Sequence, residues 1–240
     1  MRKKQLEIVL SRLAPSPKPR LMWEGYTLDA ESAAQMAHIA GWANDDIRSN
    51  KVVDLGCGSG ILAIAASLLA ARWVVGVDID RQAVRVAKMN AEEVGASVDL
   101  VVSDIESISG YFDTTLMNPP FGSWKRGADI QFLKRALAIS DVTYSLHKRS
   151  DSVRDFLRRK IPQIGGQIAK VYEMEIAISR TYDFHKKRRY SVKVDLYRIL
   201  RLKSAGNSTC SLALNSKANM RASNRFFTTR IWIEQLQTCL

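Results

Sequence analysis

At 240 residues the chain suits one α/β domain and is long enough to bury a full core without disulfides or metals. Its 46% hydrophobic and 25% charged content excludes global disorder, and three scattered cysteines, Cys57, Cys210 and Cys239, exclude a disulfide framework or a zinc cluster. A net charge of +12 and a pI near 9.8 favour a polyanionic partner, nucleic acid ahead of an anionic membrane surface, because no long apolar span is present.

The N-terminus, Met1 to Lys4, is basic, but the residues after it mix charge with apolar groups and give no signal-peptide core, so a cytoplasmic location is expected. Leu6, Val9, Leu10 and Leu13 at helical spacing predict a short amphipathic helix over residues 5–13. Pro15, Pro17 and Pro19 end it in a stiff extended connection. A loop with two aromatics, Trp23 to Asp29, precedes a helix predicted from Ala30 to Trp42, capped by Asp29 or Thr27.

Lys51 to Leu55 is a short apolar strand run, followed at once by Gly56-Cys57-Gly58-Ser59-Gly60 and an apolar helical stretch from Ile61 to Ala71. Strand, glycine turn and helix start together make a nucleotide-type site, because glycine allows close backbone approach and the helix start offers unpaired N–H groups. The spacing Asp-x-Gly-x-Gly-x-Gly departs from the dinucleotide pattern Gly-x-Gly-x-x-Gly. It resembles the first motif of class I S-adenosylmethionine-dependent methyltransferases, whose loop passes beneath the methionine part of the cofactor.

The second strand, Trp73 to Val77, ends in Asp78-Ile79-Asp80. One carboxylate at that strand end has the acceptors for two ribose hydroxyls, a role that suits Asp78, while Asp80 suits the cap of a helix from Arg81 to Val94. A third strand, Val98 to Val102, ends in Asp104. By the same resemblance Asp104 reads the adenine amino group and Ile105 or Ile79 packs on the ring; the local alternative for Asp104 is a turn cap.

A fourth strand, Phe112 to Met117, delivers Asn118-Pro119-Pro120-Phe121. Two successive prolines fix φ and remove two backbone donors, so an amide, carbonyl acceptors and an aromatic face project from one rigid turn. This resembles the motif of methyltransferases acting on planar amides and amines. An aromatic NH2 is a poor nucleophile until its nitrogen becomes tetrahedral. Acceptance of its two N–H groups by Asn118 Oδ1 and the Pro119 carbonyl favours that geometry, and Phe121 stacks on the ring.

Further on, a basic loop enters a helix from about Asp129 to Ile139, a fifth strand spans Val142 to Leu146, and a charged helix spans Ser150 to Lys160. Two β runs, Gln167 to Ile178 and Ser191 to Leu200, flank a loop rich in cations and aromatics. His185, inside that loop, is expected to touch substrate; His147 reads as a hydrogen-bonding or surface residue. Cations gather at the N-terminus, after the fifth strand and in the hairpin from 180 to 203, which suggests a phosphate-binding rim.

Taken together, Glu24-Gly25-Tyr26, Asp54 to Gly58, Asn118 to Gly122, Tyr144 to Lys148 and Phe184 to Lys187 resemble the methyltransferase-like protein 5 family, small RNA N6-adenosine methyltransferases, over residues 1–203. The resemblance implies a class I, Rossmann-like fold: a seven-stranded, mostly parallel sheet with helices on both faces and a final β-hairpin. It divides the chain into N-terminal helices and a cofactor lid (1–50), a methyltransferase core (51–203) and a tail (204–240) without counterpart in that family. S-adenosyl-L-methionine is the implied cofactor, held by Tyr26, Asp54, Gly56, Gly58, Asp78, Ile79 or Ile105, and Asp104. Asn118, Pro119, Pro120 and Phe121 meet the target base, and Phe184, His185, Lys186 and Lys187 the incoming RNA. The implied partners are ribosomal RNA, of the small subunit in eukaryotic members, and a small zinc-binding methyltransferase activator. The family's Gln and Thr in the lid are here Gly25 and Leu28, so those lid contacts differ. Two other readings remain, a protein glutamine N5-methyltransferase and a non-catalytic RNA-binding protein on the same scaffold.

Overall fold

The computed structural model describes residues 1–15, 28–120, 127–179 and 189–202, the side chains of 178, 179, 189 and 190 excepted. Tyr26, Phe121, Phe184, His185, Lys186, Lys187 and the tail from 204 to 240 lie outside the described residues. The chain divides into two units, Met1–Leu202 and Lys203–Leu240, and only the first is described.

Helix α1 (Lys3–Leu10) and helix α2 (Ala30–His38) lead into strand β1 (Lys51–Leu55), which alternates with helix α3 (Ile61–Leu68), strand β2 (Trp73–Asp78), helix α4 (Arg81–Val94), strand β3 (Asp99–Val102) and strand β4 (Phe112–Met117). Helix α5 (Ala128–Ile139), strand β5 (Ser140–Lys148) and helix α6 (Asp151–Gln163) follow, then the antiparallel strands β6 (Gly166–Ser179) and β7 (Arg189–Arg201). The sheet order is β3-β2-β1-β4-β5-β7-β6, with β1 to β5 parallel and β7 antiparallel to β5. This is the class I methyltransferase topology.

Period-two alternation sends side chains to two cores. Val52, Leu116, Tyr144, Leu146, Val194 and Leu196 face the first four helices, whereas Val53, Leu55, Val77, Met117, Tyr197 and Ile199 face α5 and α6. Parallel strands covered on both faces are buried throughout, as β1 is after its first residue, with Asp54 its one buried charge-bearing side chain.

Local signals set most ends. Asp29 caps α2 by accepting from the Ser32 N–H at 3.0 Å, Asp80 caps α4 through the Gln82 N–H at 2.8 Å, and Ser150 caps α6 through the Val153 N–H at 3.3 Å. The helix predicted to run to Trp42 leaves α geometry after His38 and finishes as a π turn, Ile39–Ala43. Asn44 Nδ2 satisfies the Ile39 carbonyl at 2.9 Å, and a Cβ on Gly41 would stand 3.2 Å from Leu69 Cδ1, so the turn brings the backbone close to the end of α3. Strand β5 is longer at both ends than its apolar run because Ser140 and Lys148 still pair with neighbours.

Candidate active site at the carboxyl edge of the sheet

In a doubly wound sheet the order of strands reverses beside β1, and the crevice outside the carboxyl ends there takes the ligand. Here that crevice lies between the end of β2, which carries Asp78, and the end of β4, which carries Asn118, with the glycine loop after β1 between them.

The loop is fixed on several sides. Gly56 N–H and Cys57 N–H both donate to the Val77 carbonyl, at 2.8 and 2.9 Å, and Gly60 N–H donates to the Cys57 carbonyl at 2.8 Å. Gly58 N–H donates to Asp78 Oδ2 at 2.8 Å, while Asp78 Oδ1 accepts from the Asp80 N–H at 2.9 Å. Asp78 therefore braces the loop, and each of its oxygens keeps a lone pair for a further donor. Gly56 (φ 73°) and Gly60 (φ 80°) hold left-handed backbone, and a Cβ on Gly60 would meet Ala87 Cβ at 2.9 Å. A Cβ on Gly56 would likewise meet Phe132 Cε1 at 3.0 Å, so both glycines let the loop pack tightly on its own neighbours, and its fit to a cofactor lies in the acceptor capacity that Asp78 keeps.

Asp54 is 1% exposed, and its Oδ2 accepts from the Ala63 N–H in the first turn of α3 at 3.0 Å. Burial pushes its carboxyl up to about 7; the Ala63 bond opposes that shift and neighbouring Asp78 adds to it. Asp78 is raised as well, chiefly by burial. Asp104 Oδ1 caps a 3-10 turn, Ile105–Ser107, through the Glu106 N–H at 2.9 Å, so the local alternative is realised at one of its two oxygens. Ile79 is 46% exposed, whereas Ile105 packs partly buried against the α5–α6 core. Of the two, Ile79 has the apolar surface to offer a ring.

Asn118 is half-buried and follows Met117, which pairs with Leu55 on one side and Ser145 on the other. Pro119 is buried and Pro120 half-buried. The turn is thus anchored centrally in the sheet, one strand away from the glycine loop.

The cationic rim needs correction. Asp195, fully buried on β7, accepts from Arg149 Nε at 3.0 Å and Arg154 Nε at 2.6 Å, and Glu173 binds the same two guanidiniums at 2.9 and 2.8 Å. Arg198 is engaged by Asp46 at 2.8 Å, with Tyr144 sharing the Asp46 carboxylate, and Arg201 by Asp141 at 2.7 Å. These four arginines are committed to carboxylates. Among the described side chains of β5 and β7, Lys148 and Lys193 are exposed cations near the carboxyl end of β5.

His147 is buried, not on the surface: Nε2 lies 2.8 Å from Ser145 Oγ, and the ring meets Tyr197 edge-on at 5.5 Å. Burial holds its imidazole down to about 4, against the pull of Asp195. Asp54 and His147 therefore load the pH profile with opposite signs. The raised Asp54 value means the unfolded chain ionises first, so stability falls as pH rises from 3.8 to about 7. The lowered His147 value means the unfolded chain protonates first, so stability falls as pH drops from 6.5 to about 4. Relative to wild type, Asp54→Asn should lose stability more steeply towards acid, and His147→Gln more steeply towards neutral pH. Denaturant titrations from pH 4 to 7 check this; variants parallel to wild type would contradict it.

Sequence reading also passes over Asn90, a buried amide on α4 that hydrogen-bonds the Ser59 carbonyl of the glycine loop at 2.9 Å. Its signal is spacing: Ala83, Ala87, Asn90 and Ala91 share the buried face of α4.

Comparison with known proteins adds to this geometry. The family model described as ribosomal protein L11 methyltransferase (PrmA) matches residues 42–118. The rRNA N6-adenosine-methyltransferase METTL5 of Danio rerio is 36% identical over 205 residues, covering 82% of this chain and 98% of its own. Its Drosophila melanogaster counterpart is 36% identical over 203 residues, covering 81% and 94%. Among solved structures, a Pyrococcus horikoshii protein proposed to be an RNA methyltransferase has a TM-score of 0.77 at 33% identity, covering 85% of this chain and 99% of that one.

Proposed function

This chain belongs to the METTL5 family of rRNA N6-adenosine-methyltransferases, and from that premise we propose that it methylates the exocyclic N6 of an adenosine in small-subunit ribosomal RNA, at a pocket headed by Asn118. When bound, S-adenosyl-L-methionine supplies an electrophilic methyl group. Gly56 and Gly58 of the loop and Asp54 beneath it hold the methionine part, Asp78 the ribose hydroxyls, Asp104 the adenine amino group and Ile79 the ring face. Tyr26 covers the site from the lid.

Asn118 Oδ1 and the Pro119 carbonyl accept the two N–H groups of the target amine. As N6 leaves the plane of its ring it loses conjugation and gains positive charge, which two fixed oxygen dipoles favour more than they favour the flat ground state. The methylated nitrogen then releases a proton to water, so no strong general base is needed. Phe121 stacks on the adenine, which must be single-stranded or flipped to enter, and Phe184, His185, Lys186 and Lys187 guide the strand.

The observation that carries this reading over a protein substrate is the extent of likeness. The match to the L11 methyltransferase family ends at residue 118, while likeness to the METTL5 proteins spans four-fifths of the chain. No helix among the described residues is long and apolar enough to cross a membrane. A cytoplasmic location and a small zinc-binding activator as partner belong to the same proposal.

Lys148 and Lys193 give the RNA side its test. Replacing both by Gln should weaken RNA binding without changing cofactor affinity, and should flatten the dependence of log affinity on log salt by about one to two units. An unchanged salt slope would remove these lysines from the RNA path.

A further inference from the structure

Asn90 interrupts the apolar face of α4 and is 1% exposed. A carboxamide has two N–H donors and an accepting oxygen, and here all are used. Nδ2 donates to the Ser59 carbonyl and to the Ala14 carbonyl, each at 2.9 Å, and Oδ1 accepts from the Ala14 N–H at 2.8 Å. The two bonds with Ala14 copy the reciprocal pairing of neighbouring strands, so the side chain stands in for a length of backbone.

The third bond reaches Ser59, the loop residue between Gly58, whose N–H is held by Asp78, and Gly60, whose N–H closes on Cys57. One turn earlier on α4, Ala87 lies where any side chain at Gly60 would collide with it. The helix therefore meets the loop closely at Ala87 and by a directed bond at Asn90. An apolar residue would suit this helix face without burying polar groups, but it would leave the buried Ser59 carbonyl without this partner and release the exposed Ala14 from the loop.

We infer that Asn90 is a positioning residue of the cofactor site: it sets the glycine loop against α4 and ties to that loop the chain leading from α1. The inference rests on reading the glycine loop as the seat of S-adenosylmethionine. Asn90 bonds backbone groups of Ala14 and Ser59, and none of the ligand contacts assigned above is made by it. Its loss should therefore appear in cofactor affinity and leave RNA affinity alone.

The test titrates S-adenosylmethionine and a ribosomal RNA fragment separately into wild type, Asn90→Leu and Asn90→Asp, and measures steady-state methylation. Asn90→Asp keeps the shape and the acceptor for Ala14 and loses both donors, so it carries the test if Asn90→Leu does not fold. Cofactor Kd and the KM for cofactor should rise on the order of tenfold to a hundredfold, the range expected for buried hydrogen bonds lost at a binding loop. RNA Kd, and kcat at saturating cofactor, should stay at wild-type values. Unchanged cofactor affinity in a folded variant overturns the inference. So does a parallel fall in cofactor affinity, RNA affinity and kcat, which would mark general damage to the fold. Wild-type protein that binds no S-adenosylmethionine would instead overturn the reading of the loop itself.

Discussion

Asn118→Ala should reduce kcat for RNA methylation by about 10²- to 10³-fold, the range for removing one preorganised hydrogen-bonding group from a transition state. The fall should appear in kcat rather than in cofactor Kd, because Asn118 lies at the end of β4 and the cofactor contacts assigned above come from the lid, β1 and the loop after it, and the ends of β2 and β3. Pro119 and Pro120 keep the turn rigid in the variant, so the Pro119 carbonyl stays in place and some transfer persists. Asn118→Asp separates geometry from charge. It keeps an acceptor oxygen and adds a negative charge facing a nitrogen that becomes positive, so it should retain more activity than Asn118→Ala. Single-turnover rates with excess enzyme, alongside cofactor titration, check both variants. Equal rates for wild type and Asn118→Ala would remove Asn118 from the chemistry.

Asp195→Ala should be the most destabilising single change at the active-site edge outside the apolar cores. The carboxylate is fully buried and accepts from Arg149 and Arg154, whose side chains are 20% and 32% exposed. Removing it leaves two guanidiniums with Glu173, 62% exposed, as their shared carboxylate, while Arg149 keeps the Met174 and Val194 carbonyls. Breaking a buried pair by deleting one partner costs roughly 3–5 kcal/mol. Water reaches both arginines here, so the lower figure, about 3 kcal/mol, is the expectation. For a domain of this size that corresponds to a Tm lower by roughly 6–12 °C. Asp195 lies beside His147 across the β5–β7 ladder and beside Glu173 across the β6–β7 ladder, so the loss should concentrate at the base of the hairpin that carries Phe184 to Lys187. Amide exchange should speed up in β6 and β7 before β1 and β2. A melting curve that coincides with wild type would show that the arginines are adequately solvated without Asp195.

The two networks differ in how far they can be read from the sequence. The glycine loop, Asp78 and Asn118 are legible because each sits within a few residues of a strand end, and strand, turn and helix signals are local. The Asp195 network is not. Arg149 and Arg154 are 46 and 41 residues from their carboxylate, and in a chain with a net charge of +12 a charged helix reads as a solvated or RNA-facing surface. Only the antiparallel return of β7 beside β5 brings Asp195 beneath them. The same limit applies to Arg198 and Asp46, 152 residues apart. His147 reads as a hydrogen-bonding or surface residue, and its burial comes from helices covering both faces of β5, where residues 143–147 are all buried. Helix limits shift by a few residues because tertiary contacts set them, as Asn44 and the close approach at Gly41 do at the end of α2.

Methyl transfer is tested most directly by its product. Wild-type protein and Asn118→Ala should each be incubated with methyl-labelled S-adenosylmethionine and small ribosomal subunits, and the RNA digested to nucleosides. The account predicts label in N6-methyladenosine with wild type and its near-complete loss with Asn118→Ala. Label in a protein glutamine, or equal N6-methyladenosine from both proteins, would contradict it.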